Sequence, residues 1–510
     1  MLNIDPHQEL FRWGPIDAKP IYVDYFNVAF RLYVKEFGRK YAWPDSIGYV
    51  RDEKVTFIVE RRRLYDRGEM IFKTYILDDE KFRHYYVEWS RQVRRLLHCQ
   101  GQLDRMNFRL MSNYEFGEVF QRWSDLYLQF WTIGLLPEIA NWGGEQLLRR
   151  HLEAKISPES LSLVFERLSA PEDLSFYQRA ELDLLKLRLL RNTHALSAKT
   201  QRLAEYQSRY FHILNSYHHT KVLGINYFKK ELAHYTRERA RRKICTLRSL
   251  HATVKSEKRR LIARYGLSRQ VVKIASRLSF CIWWQDLRKF YIFRANHYLD
   301  TFLRECTRRY EVGLDQIYYY NYSTLLCLAL TGRKFTTTEL KRRKAHFIMG
   351  YCEDTNAVEY FSGAKAKHTI QSFLVRRKVR HEGDLRGLVV SHGKNNLLIA
   401  KVKVLTSPHE AYKLKRGEIL VAAMTSPDYI TAMRKAGAIV TDEGGMTCHA
   451  AIISRELGIP CIVNTKIATT VLHDGDVVEV DSTRGVVRKV SPGSRTPASV
   501  SRSLLRSHAT

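Results

Sequence analysis

His449 stands at the end of the string Thr441-Asp442-Glu443-Gly444-Gly445-Met446-Thr447-Cys448-His449, directly ahead of the apolar residues Ala450-Ala451-Ile452-Ile453. Imidazole has an unperturbed pKa of about 6.5, so at neutral pH much of it keeps a nucleophilic lone pair. What it would carry follows from its neighbours. Ala438 to Val440 reads as a buried strand, Asp442 to Gly445 as a tight turn, and Ala450 to Leu457 as a helix closed by Gly458 and Pro460. His449 therefore falls at a helix N-terminus, where unsatisfied N–H groups and the positive end of the helix dipole favour an anion. Gly444 and Gly445 allow a close main-chain approach with no Cβ in the way. This pattern suits a phosphoryl group carried on the imidazole. Thr447 has the side chain of a helix N-cap. Arg455 is placed to pair with a phosphate or with Asp442 or Glu443, and those two acids are equally suited to ordering the loop.

The string resembles the phosphohistidine motif of the mobile, swivelling domain in phosphoenolpyruvate-utilising enzymes, and Thr447 to Pro460 is nearest to the phosphoenolpyruvate synthase form. Pyruvate phosphate dikinase and rifampicin phosphotransferase have related forms, and enzyme I of the sugar phosphotransferase system a more distant one. The likeness continues on both sides, through Gly417-Glu418-Ile419-Leu420-Val421 and Thr425-Ser426-Pro427-Asp428 before the motif and Asp474 to Asp481 with Gly485 after it. It implies a compact β/β/α swivelling domain over residues 387–490, with His449 as catalytic nucleophile and carrier and Gly444, Gly445, Thr447 and Arg455 around the phosphate. Thr447 occupies the position that resembles the family's regulatory threonine, and Cys448 stands where other members have serine. Two departures stand out. Asn464 replaces a usual glycine, and Asn tolerates the left-handed conformation better than most residues. The early glycine-rich segment is only partly kept, as Gly387, Ser391 and Gly393 followed by Asn395-Asn396.

The rest of the chain must position this motif. Of 510 residues, none is proline between Pro171 and Pro408, an interval of 236 residues, and apolar residues recur there at helical spacing. The sequence thus predicts a multidomain α+β protein: a mixed α/β region over 1–100, a mainly helical domain over 101–352, a hinge over 353–386, the swivelling domain over 387–490 and a Ser-rich disordered tail over 491–510. Ser46 to Val59 and Glu69 to Leu77 read as strands, and Leu136-Pro137, Asn141-Trp142-Gly143-Gly144 and Ser169-Ala170-Pro171-Glu172 as loops. Trp283 to Arg294, Leu314 to Tyr320 and Lys341-Arg342-Arg343 loosely resemble the helical region ahead of the phosphohistidine domain in rifampicin phosphotransferase.

The eight cysteines are scattered without a C-x-x-C pair, which predicts free thiols and no metal site. With no apolar run near the roughly 20 residues of a membrane span and no leader pattern, the expected location is the cytoplasm, away from membranes. The formal net charge is +31, and its excess lies ahead of the motif: residues 1–384 hold 67 Lys/Arg against 43 Asp/Glu, residues 385–490 only 14 against 10. Solvated helix faces explain such clusters, and so does a polyanionic partner, nucleic acid among them.

Two parts of a complete family enzyme have no visible counterpart. Residues 1–384 contain 16 glycines, a single adjacent pair and no glycine-rich phosphate loop, so an ATP-grasp domain is not expected there. A C-terminal TIM barrel is not expected either, since only twenty residues follow Val490. The resemblance then implies a phosphotransferase component that binds no cofactor alone. Mg-ATP or phosphoenolpyruvate would serve as donor through a partner, a separate ATP-grasp chain, with the acceptor open. Phenylphosphate synthase resembles such a division of labour. The alternative is a regulatory or nucleic-acid-binding protein that uses the mobile domain for docking.

Overall fold

β1 (Leu10–Asp17) leads into α1 (Pro20–Phe37), and the alternating run beyond them folds, in the computed structural model of the chain, as a hairpin of β2 (Ser46–Arg51) and β3 (Lys54–Glu60). Asp52 and Glu53 at its tip both take positive φ, 51° and 58°, the geometry that matches the twist of paired strands. The hairpin is the centre of a five-stranded antiparallel sheet in the order β1-β3-β2-β4-β5, completed by β4 (Phe347–Cys352) and β5 (Ala357–Ser362). A helix, Gly363–Leu374, then covers it, burying Ala366, Ile370 and Phe373 with Ile47, Ile58 and Ile348. The described residues are 4–190, 196–374, 383–425, 429–445 and 448–490; Thr447, Ser426 to Asp428 and the tail after Val490 lie outside them.

Two compact units divide between Lys378 and Val379. The boundaries read from sequence shift accordingly. Residues 1–100 are not a region of their own, because their sheet needs strands that lie some 300 residues later. The 353–386 interval is not an open hinge over most of its length: β5 and the following helix belong to the first unit, and β6 (Leu385–Arg386) to the second.

Glu69 to Leu77 is helical rather than extended. Here α2 (Arg61–Ile71) runs into a π-helical turn, Phe72–Ile76, and Leu64, Gly68, Ile71, Phe72 and Ile76 form one buried face at helical spacing. α3 (Asp79–Leu103) starts on Asp78, whose carboxylate accepts from the Glu80 and Lys81 N–H groups at 3.1 and 2.9 Å. α4 (Asn113–Glu153) starts on a Ser112/Glu115 capping box and runs for 41 residues through two of the segments read as loops, Leu136-Pro137 and Asn141 to Gly144, whereas the third, Ser169 to Glu172, does leave its helix after Ser169. Gly143 is where α2 crosses α4. A Cβ on Gly143 would lie 1.8 Å from the Glu69 nitrogen and one on Gly68 2.6 Å from the Gly143 nitrogen, so glycine is there for backbone-to-backbone contact. The proline-free stretch forms long helices as expected, α5 (Arg237–Arg264) and the 42-residue α6 (Arg269–Tyr310) among them. Trp89, Trp123, Trp131 and Trp284 are fully buried between these helices. Among the described residues no helix is long and apolar enough to cross a membrane.

The second unit is strand-rich. Its eight-stranded sheet adds β7 (Leu388–His392), β8 (Leu397–Val404), β9 (Ile419–Ala422), β10 (Ala438–Thr441), β11 (Pro460–Val463), β12 (Val477–Asp481) and β13 (Val486–Lys489) in the order β6-β13-β12-β8-β9-β10-β11-β7. β8, β9, β10 and β11 run parallel and the remaining pairs antiparallel. Every residue of β9, β10 and β11 is buried, as parallel strands covered on both faces require. Val402, Ile419, Val421, Val440, Ile462, Val478 and Val480 form the core, and the chain is thus a multidomain α+β protein, helical first and strand-rich second.

Candidate functional site: the carboxyl ends of three parallel strands

Parallel strands point their carboxyl ends the same way, and ligands of open α/β sheets gather outside those ends. At this end β9 leads to Thr425, β10 to Asp442 and Gly444, and β11 to Asn464. The short loops are laced together by main-chain bonds. Asp442 and Glu443 N–H donate to Ala422 and Ala423 carbonyls at 3.2 and 3.0 Å, and Thr465 and Lys466 N–H to Thr441 and Asp442 carbonyls at 3.1 and 2.8 Å.

His449 is the first residue of α7 (His449–Leu457), which packs on β7 and β11. Its Nδ1 lies 3.1 Å from the Thr425 hydroxyl, across 24 residues of sequence. In the tautomer in which Nδ1–H donates to the Thr425 oxygen, Nε2 carries the nucleophilic lone pair. The N-cap is Cys448, with no side-chain capping bond; Thr447, for which a cap is one of two readings, lies outside the described residues. The Ile452 N–H donates to the Cys448 carbonyl at 3.1 Å, and the N–H groups ahead of it are those that have no partner within a helix of their own. Gly458 ends the helix in the left-handed conformation, φ 66°, as read from sequence.

The other candidates separate by role. Gly444 has φ 137°, and a Cβ there would sit 2.9 Å from Cys448 Sγ, so the glycine admits the Cys448 side chain. The Gly445 carbonyl accepts the Cys448 N–H at 3.1 Å, closing the turn into α7. Arg455 donates from Nε to the Val390 carbonyl of β7 at 2.8 Å, a tie between helix and sheet. Asp442 is held by Thr469, accepting its N–H at 2.8 Å and its hydroxyl, so this acid orders the loops as one reading of the turn proposed. Asn464 takes φ 58°, the conformation its substitution for glycine requires. Burial pushes up the Cys461 thiol on β11, which suits an unreactive core residue. Thr425 was missed as a site residue; its string was recognised as part of the resemblance, but a contact between loops of different strands leaves no local trace.

Comparison with known proteins agrees with this geometry. Residues 414–485 match the family model described as PEP-utilising enzyme, mobile domain. A probable phosphoenolpyruvate synthase of Archaeoglobus fulgidus is 57% identical over 103 residues, 20% of this chain and 13% of that protein. The phosphoenolpyruvate synthase of Pyrococcus furiosus is 54% identical over 105 residues, 21% of this chain and 12% of its own length. That of Deinococcus radiodurans is 40% identical over 136 residues, 26% and 17% of the two chains. The chain thus spans only about an eighth to a sixth of the length of these relatives, and the likeness falls on the strand-rich unit. That unit is a mobile domain of the phosphoenolpyruvate-utilising enzyme type.

Proposed function

We propose that this chain is a phosphotransferase component in which His449 carries a phosphoryl group from a donor site to an acceptor. The observation that carries the reading is the placement of His449 at the start of α7 with Nδ1 against the Thr425 hydroxyl. The Nε2 lone pair attacks the donor phosphorus, an Nε2–P bond forms, and the bond from phosphorus to the leaving oxygen breaks, the leaving group departing with that electron pair. Nδ1–H stays on Thr425 throughout and helps bear the positive charge that the ring gains. The second transfer is the reverse attack, by an acceptor oxygen. Since phosphoryl transfer rests on positioning and charge stabilisation, a carrier of this kind needs little chemistry of its own. The relatives above bear the name phosphoenolpyruvate synthase, which favours an ATP- or phosphoenolpyruvate-linked donor. We place the donor site on a partner chain with an ATP-grasp domain.

The test is labelling in an extract of the chain's own cells, supplied in turn with γ-labelled ATP and with labelled phosphoenolpyruvate. The wild-type chain should take up label that is stable in alkali and lost in acid. His449→Ala should take up none, and equal labelling of the variant would refute the carrier reading.

A further inference from the structure

α3 and α4 pack side by side and leave between them a cleft of about 750 Å³, within the range of small-molecule sites. One wall is a stripe of α3 at helical spacing, Arg91, Arg94, Arg95 and His98; the other, on α4, presents Glu118, Arg122 and Asp125. A pair of helices that placed these arginines for stability alone would pair them with the two facing carboxylates. It does not. Neither Glu118 nor Asp125 forms an ion pair with any of the four arginines among the described residues. The Asp125 carboxyl is instead pushed up by burial, with Tyr322 as its hydrogen-bond partner.

Of the four guanidinium groups, only Arg91 has an acidic partner among the described residues, Glu88 on its own helix. Arg95 donates to the neutral amides of Gln92 and Gln129, both at 3.2 Å, and keeps its charge uncompensated. Arg94 and Arg122 have no hydrogen-bond or ion-pair partner among the described residues. Three uncompensated guanidiniums round one concavity repel one another, a local expense that a bound anion would relieve. Guanidinium offers phosphate two parallel N–H donors, a better match than a point charge. Cationic groups on both walls suit a ligand with more than one phosphate, and a cleft of this volume suits a small molecule.

We propose that the α3–α4 cleft is a binding site for a small anion carrying two or more phosphates, gripped between Arg94 and Arg95 on one wall and Arg122 on the other. The site lies wholly within the first unit and does not depend on the carrier reading. The probe is inorganic pyrophosphate, titrated calorimetrically into the full chain at moderate salt. The Arg94→Gln/Arg122→Gln double variant is compared with Arg241→Gln/Arg248→Gln, a pair of equal charge change on exposed positions of α5. Arg94 and Arg122 are exposed and have no partner among the described residues, so the first variant should fold normally, with a melting temperature no lower than that of the wild type. One-to-one binding by the wild type, weakened at least tenfold by the cleft variant and unaltered by the α5 variant, is the expected result. Equal weakening by both variants would reduce the effect to the net charge of the chain and overturn the site. So would undiminished binding by the cleft variant, or binding of a random-sequence DNA duplex with none of pyrophosphate.

Discussion

The Thr425 hydroxyl contacts the His449 ring from outside its own helix. If it sets the tautomer, Thr425→Val, which keeps shape and removes the oxygen, should slow phosphorylation of His449 about ten- to a hundredfold, the range typical of a lost orienting partner. The rate of label uptake, read beside a melting curve that stays within a few degrees, checks this; an unchanged rate would leave the contact without a role. At this scale the sequence was most legible where chemistry is local. The helix start at His449, the left-handed Gly458 and the tolerance of Asn464 for positive φ all follow from neighbouring residue types. The cap position falls on Cys448, whose side chain has no capping preference that the sequence could show. Asp24 offers a separate residue-scale test in the first unit. Buried on α1, it accepts from the Tyr322 N–H at 2.7 Å and the Tyr360 hydroxyl at 3.0 Å, and burial raises its pKa to about 6. A carboxyl whose folded pKa is raised binds its proton more tightly in the folded state, so stability is highest below the unfolded pKa and declines as pH rises from about 4 to about 6. Asp24→Asn should remove that decline, gaining on the wild type by about 2–3 kcal/mol between pH 4 and 7 in urea unfolding. Parallel profiles would contradict it.

Between elements, the decisive residues are those whose meaning depends on what packs against them. Gly143-Gly144 has the composition of a turn, yet it lies within α4, where α2 passes close enough to exclude a Cβ. Ile71, Phe72, Tyr75 and Ile76 have strand-like composition, yet their buried members fit a helical face. Short apolar runs fit either period, and tertiary contact decides. Gly143→Ala should therefore lower stability by several kcal/mol, since the clash is with backbone and not with a movable side chain. Gly101→Ala, in α3 with nothing within 4 Å of the added methyl, should raise it by about 0.5–1 kcal/mol through helix propensity. Thermal unfolding of the two variants decides; a neutral Gly143→Ala would mean that the crossing is looser than described.

For the whole chain, the strand-rich unit was legible because its motif, turns and strands lie within about a hundred consecutive residues. The first unit was not, since β4 and β5 close a sheet begun some 300 residues earlier, and pairing over that distance has no signature in either segment. Each unit has its own buried core. A fragment of residues 383–490 should accordingly fold alone with a cooperative thermal transition, and its amide spectrum should be dispersed; a molten, undispersed fragment would show that this unit needs the first. The central claim is that His449 carries the phosphoryl group, and the most direct measurement is site mapping. The chain is isolated from its own cells under alkaline conditions, digested, and its phosphopeptides are sequenced by mass spectrometry with electron-based fragmentation. The account predicts phosphate on His449 and on none of the other 18 of the 19 histidines. Phosphate on a different histidine, or a His449 peptide that stays unmodified while donor-dependent label is bound elsewhere on the chain, would contradict it.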